Sequence, residues 1–250
     1  DKTLRQLMDE KPASRWNPNY WHPKYDDIYR DINFTLLPLK QYIEDVQGGG
    51  GGSHFSAFLG DKWDDQGHYA TYLHISALMD TGVNWVDAKY VDQKTYRRLI
   101  TKQLRERDIL LSNKGTIGKS VVVSKNYPKT IVGDTRVIRV KGINPFYVCI
   151  YFKSKYGKSL SERYKSGVAS EGTTIDQLGV FEIPDVPNKI QSQIELIYKN
   201  MSVYHDKAMD AKKNGNNKLA RENLDIAEKI LEGLIKKTEE VIEGKRENVN

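Results

Sequence analysis

The stretch DILLSNKGTIGKSVVVS, Asp108–Ser124, decides the fold. Two β-rich runs, DILLS and SVVVS, flank Asn113–Lys119. The connecting residues fit a tight turn that offers backbone N–H groups together with Lys114 and Lys119. The turn superficially resembles a phosphate-binding P-loop. That loop requires GxxxxGK[ST], but here the spacing is GxxGKS and Asn113 stands where the first glycine belongs. A strand former follows it, not the helix whose N-terminus would hold phosphates. A turn of this kind is still able to touch a DNA phosphate.

Working outward, TYLHISAL (Thr71–Leu78) predicts a strand entering a turn, and TGVNWVDAKYV (Thr81–Val91) a further strand-and-turn unit. DQKTYRRLITKQL (Asp92–Leu104) has helical character. Downstream, IVGDTRVIRV continues the strand pattern through Val137, Ile138 and Val140. NPFYVCIYFKSKYGKSLSERYKSG (Asn144–Gly167) predicts one helix, interrupted at Gly157 and ended at Gly167. VFEIPDVP (Val180–Pro187) is a last extended piece. Strands and helices in mixed order, without a βαβ rhythm, give an α+β class. Residues 1–46 form a lead-in: RWNPNYWHPKY (Arg15–Tyr25) is rich in aromatics and prolines, and a short amphipathic helix is expected over Lys24–Asn33. The five-glycine run Gly48–Gly52 is expected to be a mobile loop, native or introduced.

The character changes after Pro187. Ile190, Ile194, Ile197, Met201, Tyr204, Ala208 and Ala211 recur at steps of four and three, as do Ala220, Leu224, Ala227, Leu231, Leu234, Thr238 and Val241. NGNN (Asn214–Asn217) separates the two series. Such stripes pack on each other as an antiparallel hairpin or on helices of another chain, and the short link favours the hairpin. The expected organisation is a globular unit over 1–187 and a helical spacer or dimerisation arm over 188–250. Ile190, Ile194, Ile197, Met201, Leu224, Leu231 and Leu234 are the candidate interface residues of that arm.

Charge is segregated. Residues 113–165 hold twelve Lys and Arg against Asp134 and Glu162, a local balance of +10, whereas the whole chain is +6, so the remainder sums to −4. Cations gathered on one sector release counterions when they meet a polyphosphate. Seven aromatics lie among them: Tyr127, Phe146, Tyr147, Tyr151, Phe152, Tyr156 and Tyr164. A basic window of this kind fits either a nucleic-acid surface or a solvated face over an ordinary core. The single cysteine, Cys149, sits in the apolar run FYVCIYF, which predicts a packing residue, excludes an internal disulfide and fits a reducing cytoplasmic setting. Five scattered histidines and one cysteine argue against a structural zinc site. No run approaches the length of a membrane span, and the charged opening residues lack a signal core. The chain opens at Asp1, which fits a processed form or a piece of a longer polypeptide. Asn144-Pro-Phe-Tyr147 lacks one proline of the amino-methyltransferase tetrapeptide, and no glycine-rich cofactor loop follows an early strand. No catalytic constellation stands out, so a non-enzyme is expected.

Several segments, taken in order, resemble the target recognition domain of type I restriction–modification specificity (S) subunits. They are YLHISAL…DTGVNWVDAKYVD, DILLSNKGTIGKSVVV, RVIRV…NPFYVCIYFKSKYGK and SGVASEGTTIDQLGVFEIPDVPNKIQSQIELI, covering roughly Thr71–Ile197. RWNPNYWHPKY resembles the aromatic lead-in of methyltransferase-linked relatives, and the heptads resemble the family's helical spacer. Arg107 departs from the pattern, standing where a glycine commonly precedes the aspartate. S subunits usually carry two recognition domains and two spacers. One of each is present here, without internal repeat, so the chain resembles half an S subunit.

The resemblance implies a DNA-reading subunit that directs a partner adenine-N6 methyltransferase, with an endonuclease subunit as a further partner. A homodimer formed through the helices would read a bipartite site. The chain itself would need no cofactor, since S-adenosylmethionine belongs to the methylating partner, which flips the adenine. Candidate phosphate contacts are Lys114, Lys119, Lys125, Arg136, Arg139 and Lys165, and candidate base-reading residues are Asn113, Thr116, Ser170, Glu171 and Thr173. The stem of Arg139 could equally cover the sheet face. Two rivals stand beside this reading: the recognition end of a fused methyltransferase or restriction enzyme, and a protein-interaction scaffold built on the heptads.

Overall fold

A computed structural model describes residues 22–47, 69–86, 89–99, 103–112, 118–125, 127–133, 135–164 and 178–250. The elements run α1 (Lys24–Asp27), β1 (Leu36–Pro38), β2 (Ile43–Gln47), β3 (Ala70–Leu73), β4 (Lys89–Val91), α2 (Gln93–Arg98), β5 (Ile109–Ser112) and β6 (Ser120–Val122). They continue with β7 (Thr130–Val132), β8 (Thr135–Val140), α3 (Pro145–Lys153), α4 (Lys155–Arg163), β9 (Glu182–Pro184), α5 (Asn188–Lys213) and α6 (Asn217–Ile242). The class is α+β. The helix expected over Lys24–Asn33 is shorter than its pattern: it stops at Asp27 and continues as turns. The lead-in is not peripheral, since β2 forms one edge of the main sheet and β1 pairs with β9.

DILLS and SVVVS form adjacent antiparallel strands within the four-stranded sheet β2-β8-β5-β6, with Ile109 opposite Val122 and Leu111 opposite Ser120. Their apolar runs are continuous because both faces of the sheet are covered. Ile109, Leu111, Val122 and Ile138 join the cluster built around α3, whereas Leu110, Val121 and Val137 join Leu73 and Val132 of the second sheet. That second sheet is ordered β4-β3-β7, with β3 and β7 parallel. The period of two is therefore present, but it separates two apolar layers and not core from water.

Every residue of α3 is buried. Its tyrosines are satisfied at their tips: Tyr147 donates to the Pro184 carbonyl and Tyr151 to the Glu182 carbonyl, each at 2.7 Å. The helix expected to be interrupted at Gly157 breaks earlier. Ser154 is extended, ends α3 and caps α4 by accepting from the Gly157 N–H at 3.3 Å. Gly157 has a different task. A Cβ there would lie 2.2 Å from the Tyr151 carbonyl oxygen, so the two helices meet only without a side chain. The exit expected at Gly167 and the Gly48–Gly52 run lie outside the described residues. Cys149 is buried as expected, and burial pushes its thiol pKa up.

The heptads form a hairpin. α5 and α6 each have 26 residues, about 39 Å at 1.5 Å per residue, and Gly215 turns the link with φ +76°. Besides its seam, α5 carries a second buried row, Gln191, Tyr198 and His205, which docks it on the globule. Gln191 accepts from the Asn144 N–H at 2.8 Å and donates to the Val186 carbonyl at 2.7 Å. The Tyr198 hydroxyl accepts from the Val122 N–H at 3.2 Å. His205 Nε2 donates to the Val83 carbonyl at 3.0 Å, while Nδ1 accepts from the Thr81 hydroxyl at 2.8 Å. Burial holds the ring pKa below its ordinary value, in keeping with this neutral tautomer.

The end of α6 is fastened by Glu243, which accepts from Tyr156 at 2.9 Å and pairs with Lys155 and Lys245. Burial works to raise its pKa. Hydrogen bonds from Lys155, Lys245 and Tyr156 outweigh that and hold the carboxyl down to about 2. A folded value below the unfolded one means stability that is present above the ordinary glutamate range and is lost as pH falls from there toward about 2. Glu243→Gln is expected to destabilise the protein at pH 7 and to flatten this part of the acid limb. Urea midpoints measured against pH check it, and parallel limbs for the two proteins would contradict the assignment.

Candidate nucleic-acid interface

The basic window does not fold as one surface. Arg136, Arg139 and Lys153 are buried. Arg139 donates to both oxygens of Asp108, at 2.8 and 3.0 Å, and to Asp45 at 2.7 Å. Burial lowers its pKa, but Asp108 and then Asp45 reverse the shift and raise it. This guanidinium is committed inside the fold and is not offered to a phosphate. Burial lowers the pKa of Arg136, the second residue of β8, which is likewise enclosed and kept from a duplex. Both candidate contacts are corrected by the same cause: apolar layers cover both faces of the sheet at β8, so its side chains are buried from Thr135 to Arg139.

The accessible members are Lys119, half-buried, and Lys125, Lys129, Lys141, Lys155 and Lys158, exposed. Lys155 is paired with Glu243 and the half-buried Arg163 with Asp26 at 2.9 Å. Lys129 lies 4.5 Å from the ring centre of Tyr69. Lys119 closes the β5–β6 connection, where the Ser112 N–H donates to its carbonyl at 2.9 Å, and Lys125 follows β6, an edge strand. Accessible charge thus stands at both ends of β6, Lys119 at the turn and Lys125 past the opposite end. Asn113, Lys114, Thr116, Lys165, Ser170, Glu171 and Thr173 lie outside the described residues.

Six of the seven aromatics, all but Tyr127, are buried in the core and offer no stacking platform for bases. Tyr127 instead meets Trp85 edge-on, with centroids 4.9 Å apart. Arg107, which departed from the family pattern, adopts φ +70°, the left-handed conformation that glycine takes most readily. Its side chain is anchored by Glu195 at 3.1 Å and lies 5.4 Å from the Phe146 ring centre.

The seam residues proposed for an interface serve this chain's own core. Ile190, Ile194, Met201, Leu231 and Leu234 are buried within it, and Ile197 and Leu224 are half-buried.

Two clefts flank the β5–β6 hairpin. One, of about 560 Å³, lies between the Gly118–Lys119 turn and α6 and is also lined by Lys153 and Lys158. The other, of about 430 Å³, is lined by Arg107, Lys125, Tyr127, Lys199 and Asp206 among others. The convergence of Lys153 and Lys158 on Lys119 was missed in the sequence. The available signal was a lysine inside the apolar run CIYFKS, a poor place for a solvated side chain. Among the described residues, no group of three or more His, Cys, Asp and Glu is placed to hold a metal ion. Nor is any helix among them long and apolar enough to cross a membrane.

No protein-family model matches the chain, and no curated protein matches it. Among solved structures, it is similar to the type I restriction–modification system S subunit from M. genitalium, at 15% identity and TM-score 0.45, over 80% of this chain and 43% of that one. It is also similar to a chain from a structure of type I R-M system assembly and conformational transition, at 13% identity and TM-score 0.48, over 93% and 56%. A third likeness is to the type IIG restriction endonuclease BpuSI, at 9% identity and TM-score 0.49, over 94% and 35%. The chain thus spans less than two thirds of each of these proteins. The likenesses concern chain arrangement and not particular residues.

Proposed function

We propose that the chain is a DNA sequence-recognition module without catalytic activity of its own. More narrowly, it acts as a specificity subunit or half-subunit of a type I-like restriction–modification system, directing a partner adenine-N6 methyltransferase. The observation that carries this reading is the β5–β6 pair: β6 at the edge of the sheet, accessible Lys119 leading into it and exposed Lys125 past its far end. Backbone contacts of this kind fix register, and polar loop residues then read base edges. The ordered sequence resemblance to S subunits supports the narrower statement.

The test is retention of the full chain on duplex DNA as salt is raised. Each phosphate contact contributes roughly one unit to the slope of log affinity against log salt. Reversing the charge of both Lys119 and Lys125 is expected to weaken binding to every sequence and to reduce the slope by about two. Lys114, adjacent to the turn, is expected to act with them, and Thr173 substitution to change the preferred sequence. A protein-interaction scaffold predicts no salt-dependent retention, so an absence of binding with the methylating partner supplied would remove the proposal. A free subunit is distinguished from the recognition end of a fused enzyme by the full reading frame, searched upstream for a glycine-rich cofactor loop and an NPP-aromatic tetrapeptide.

A further inference from the structure

The cleft of about 560 Å³ between the Gly118–Lys119 turn and α6 has a feature that DNA reading does not account for. Lys153 lines it with a side chain only 3% exposed, and its Nζ makes no hydrogen bond among the described residues. The carboxylate beside it is Asp80, at 3.8 Å and itself largely exposed. Lys119 and Lys158 line the same volume, and both ammonium groups are close enough to act on Lys153 electrostatically. A buried cation without hydrogen-bonding partners is costly and is normally relieved by an anion or by loss of the proton. Burial, and to a smaller extent Lys158 and Lys119, lower the pKa of Lys153 against the opposing pull of Cys149 and Asp80. A bound anion would offset both effects.

We propose that this cleft binds the phosphoryl group of a small phosphomonoester, held by Lys119, Lys153 and Lys158. The three ammonium groups less Asp80 sum to +2, and Glu228 and Glu232 of α6 bring the lining as a whole to neutral. A phosphomonoester brings about −1.5 to −2 at pH 7 and three acceptor oxygens, one for each lysine. The volume falls in the range of about 300–1,000 Å³ usual for small-ligand sites. Glu228 and Glu232 of α6 line the same cleft, together with the apolar Leu78, Leu231 and Ile235. These carboxylates repel a second phosphate and accept hydrogen bonds from an amino group. The site therefore selects a monophosphate with a donor-bearing far end, and rejects di- and triphosphates. This inference does not depend on the DNA-reading proposal. A duplex backbone is the other source of phosphoryl groups, and the duplex arm of the titration separates the two.

The test is calorimetric titration of the full chain with inorganic phosphate, AMP, ATP and a short duplex, alongside mass-spectrometric mapping of amine labelling at Lys153. AMP is expected to bind more tightly than ATP and to protect Lys153 from labelling. Lys153→Met, which removes a buried charge and is expected to leave the fold intact, should weaken AMP binding at least about tenfold. The double variant Lys119→Ala with Lys158→Ala should weaken it as well, whereas Lys218→Met, at the far end of the hairpin, should not. The proposal is overturned if phosphate and AMP fail to bind at millimolar concentration, if Lys153→Met binds AMP as the unaltered chain does, if ATP binds more tightly, or if the duplex alone protects Lys153.

Discussion

Replacing Asp108 by alanine is expected to lower the stability of the protein by about 3–5 kcal/mol. Asp108 accepts from Arg139 Nε at 2.8 Å and from Nη2 at 3.0 Å, and its second oxygen also accepts from the Arg105 N–H at 2.9 Å. Both side chains of the pair are buried. Without Asp108 the guanidinium keeps only Asp45 and the Gln103 carbonyl, on a side chain that is buried where it stands. The main cost is therefore a charge left in a place of low dielectric, and the lost attraction is secondary. Urea unfolding followed by far-UV circular dichroism measures it. Combining Asp108→Ala with Arg139→Met is expected to recover most of the loss, because the stranded charge is gone. A loss below about 1 kcal/mol in the single variant would mean that Asp45 alone satisfies Arg139.

Gly157→Ala is expected to cost about 2–3 kcal/mol, with the opposite sign to that of an ordinary helical glycine. In an open helix position alanine gains roughly 0.5–1 kcal/mol over glycine. At Gly157 the added Cβ meets backbone: the Tyr151 oxygen at 2.2 Å, Phe152 Cα at 2.6 Å and Phe152 C at 2.9 Å. None of these is the end of a flexible side chain, so α3 and α4 must separate at Ser154. That separation disturbs the packing of Phe152 and Tyr156, both in the main core. Gly233 of α6 is the internal control, because beyond its chain neighbours and its own helix backbone nothing described lies within 4 Å of the place a Cβ would take there. Gly233→Ala is expected to raise the urea midpoint while Gly157→Ala lowers it. Midpoints moving in the same direction would show that helix propensity governs both sites.

The two glycines also mark what a linear reading can and cannot supply. The pattern around Gly157 signalled a break in a helix, and a break occurs. Its position at Ser154 and the reason for the glycine are contacts between α3 and α4, which no local pattern reports. The same division holds at β8. Val137 and Ile138 were legible as strand members, and Arg136 and Arg139 among them were natural phosphate contacts for a window of such charge. Their burial follows from the apolar layers that cover both faces of the sheet at β8. The interior aromatics followed their hydrophobicity, whereas the convergence of Lys119, Lys153 and Lys158 depended on α3, α4 and the β5–β6 turn arriving at one cleft.

What the chain determined by itself is periodicity: two heptad series with a turn between them, and two β-rich runs around a glycine-containing link. These depend on neighbours within one or two turns of the chain, so their physics is local. The tertiary structure alone decided which faces of those elements meet. It placed Gln191, Tyr198 and His205, spaced by seven residues on α5, against the globule as a second docking row beside the apolar seam. Polar side chains at such spacing would face water on an isolated hairpin. Here they are buried because backbone groups of Asn144, Val122 and Val83 stand opposite them, and those partners come from segments 47, 76 and 122 residues away in the chain.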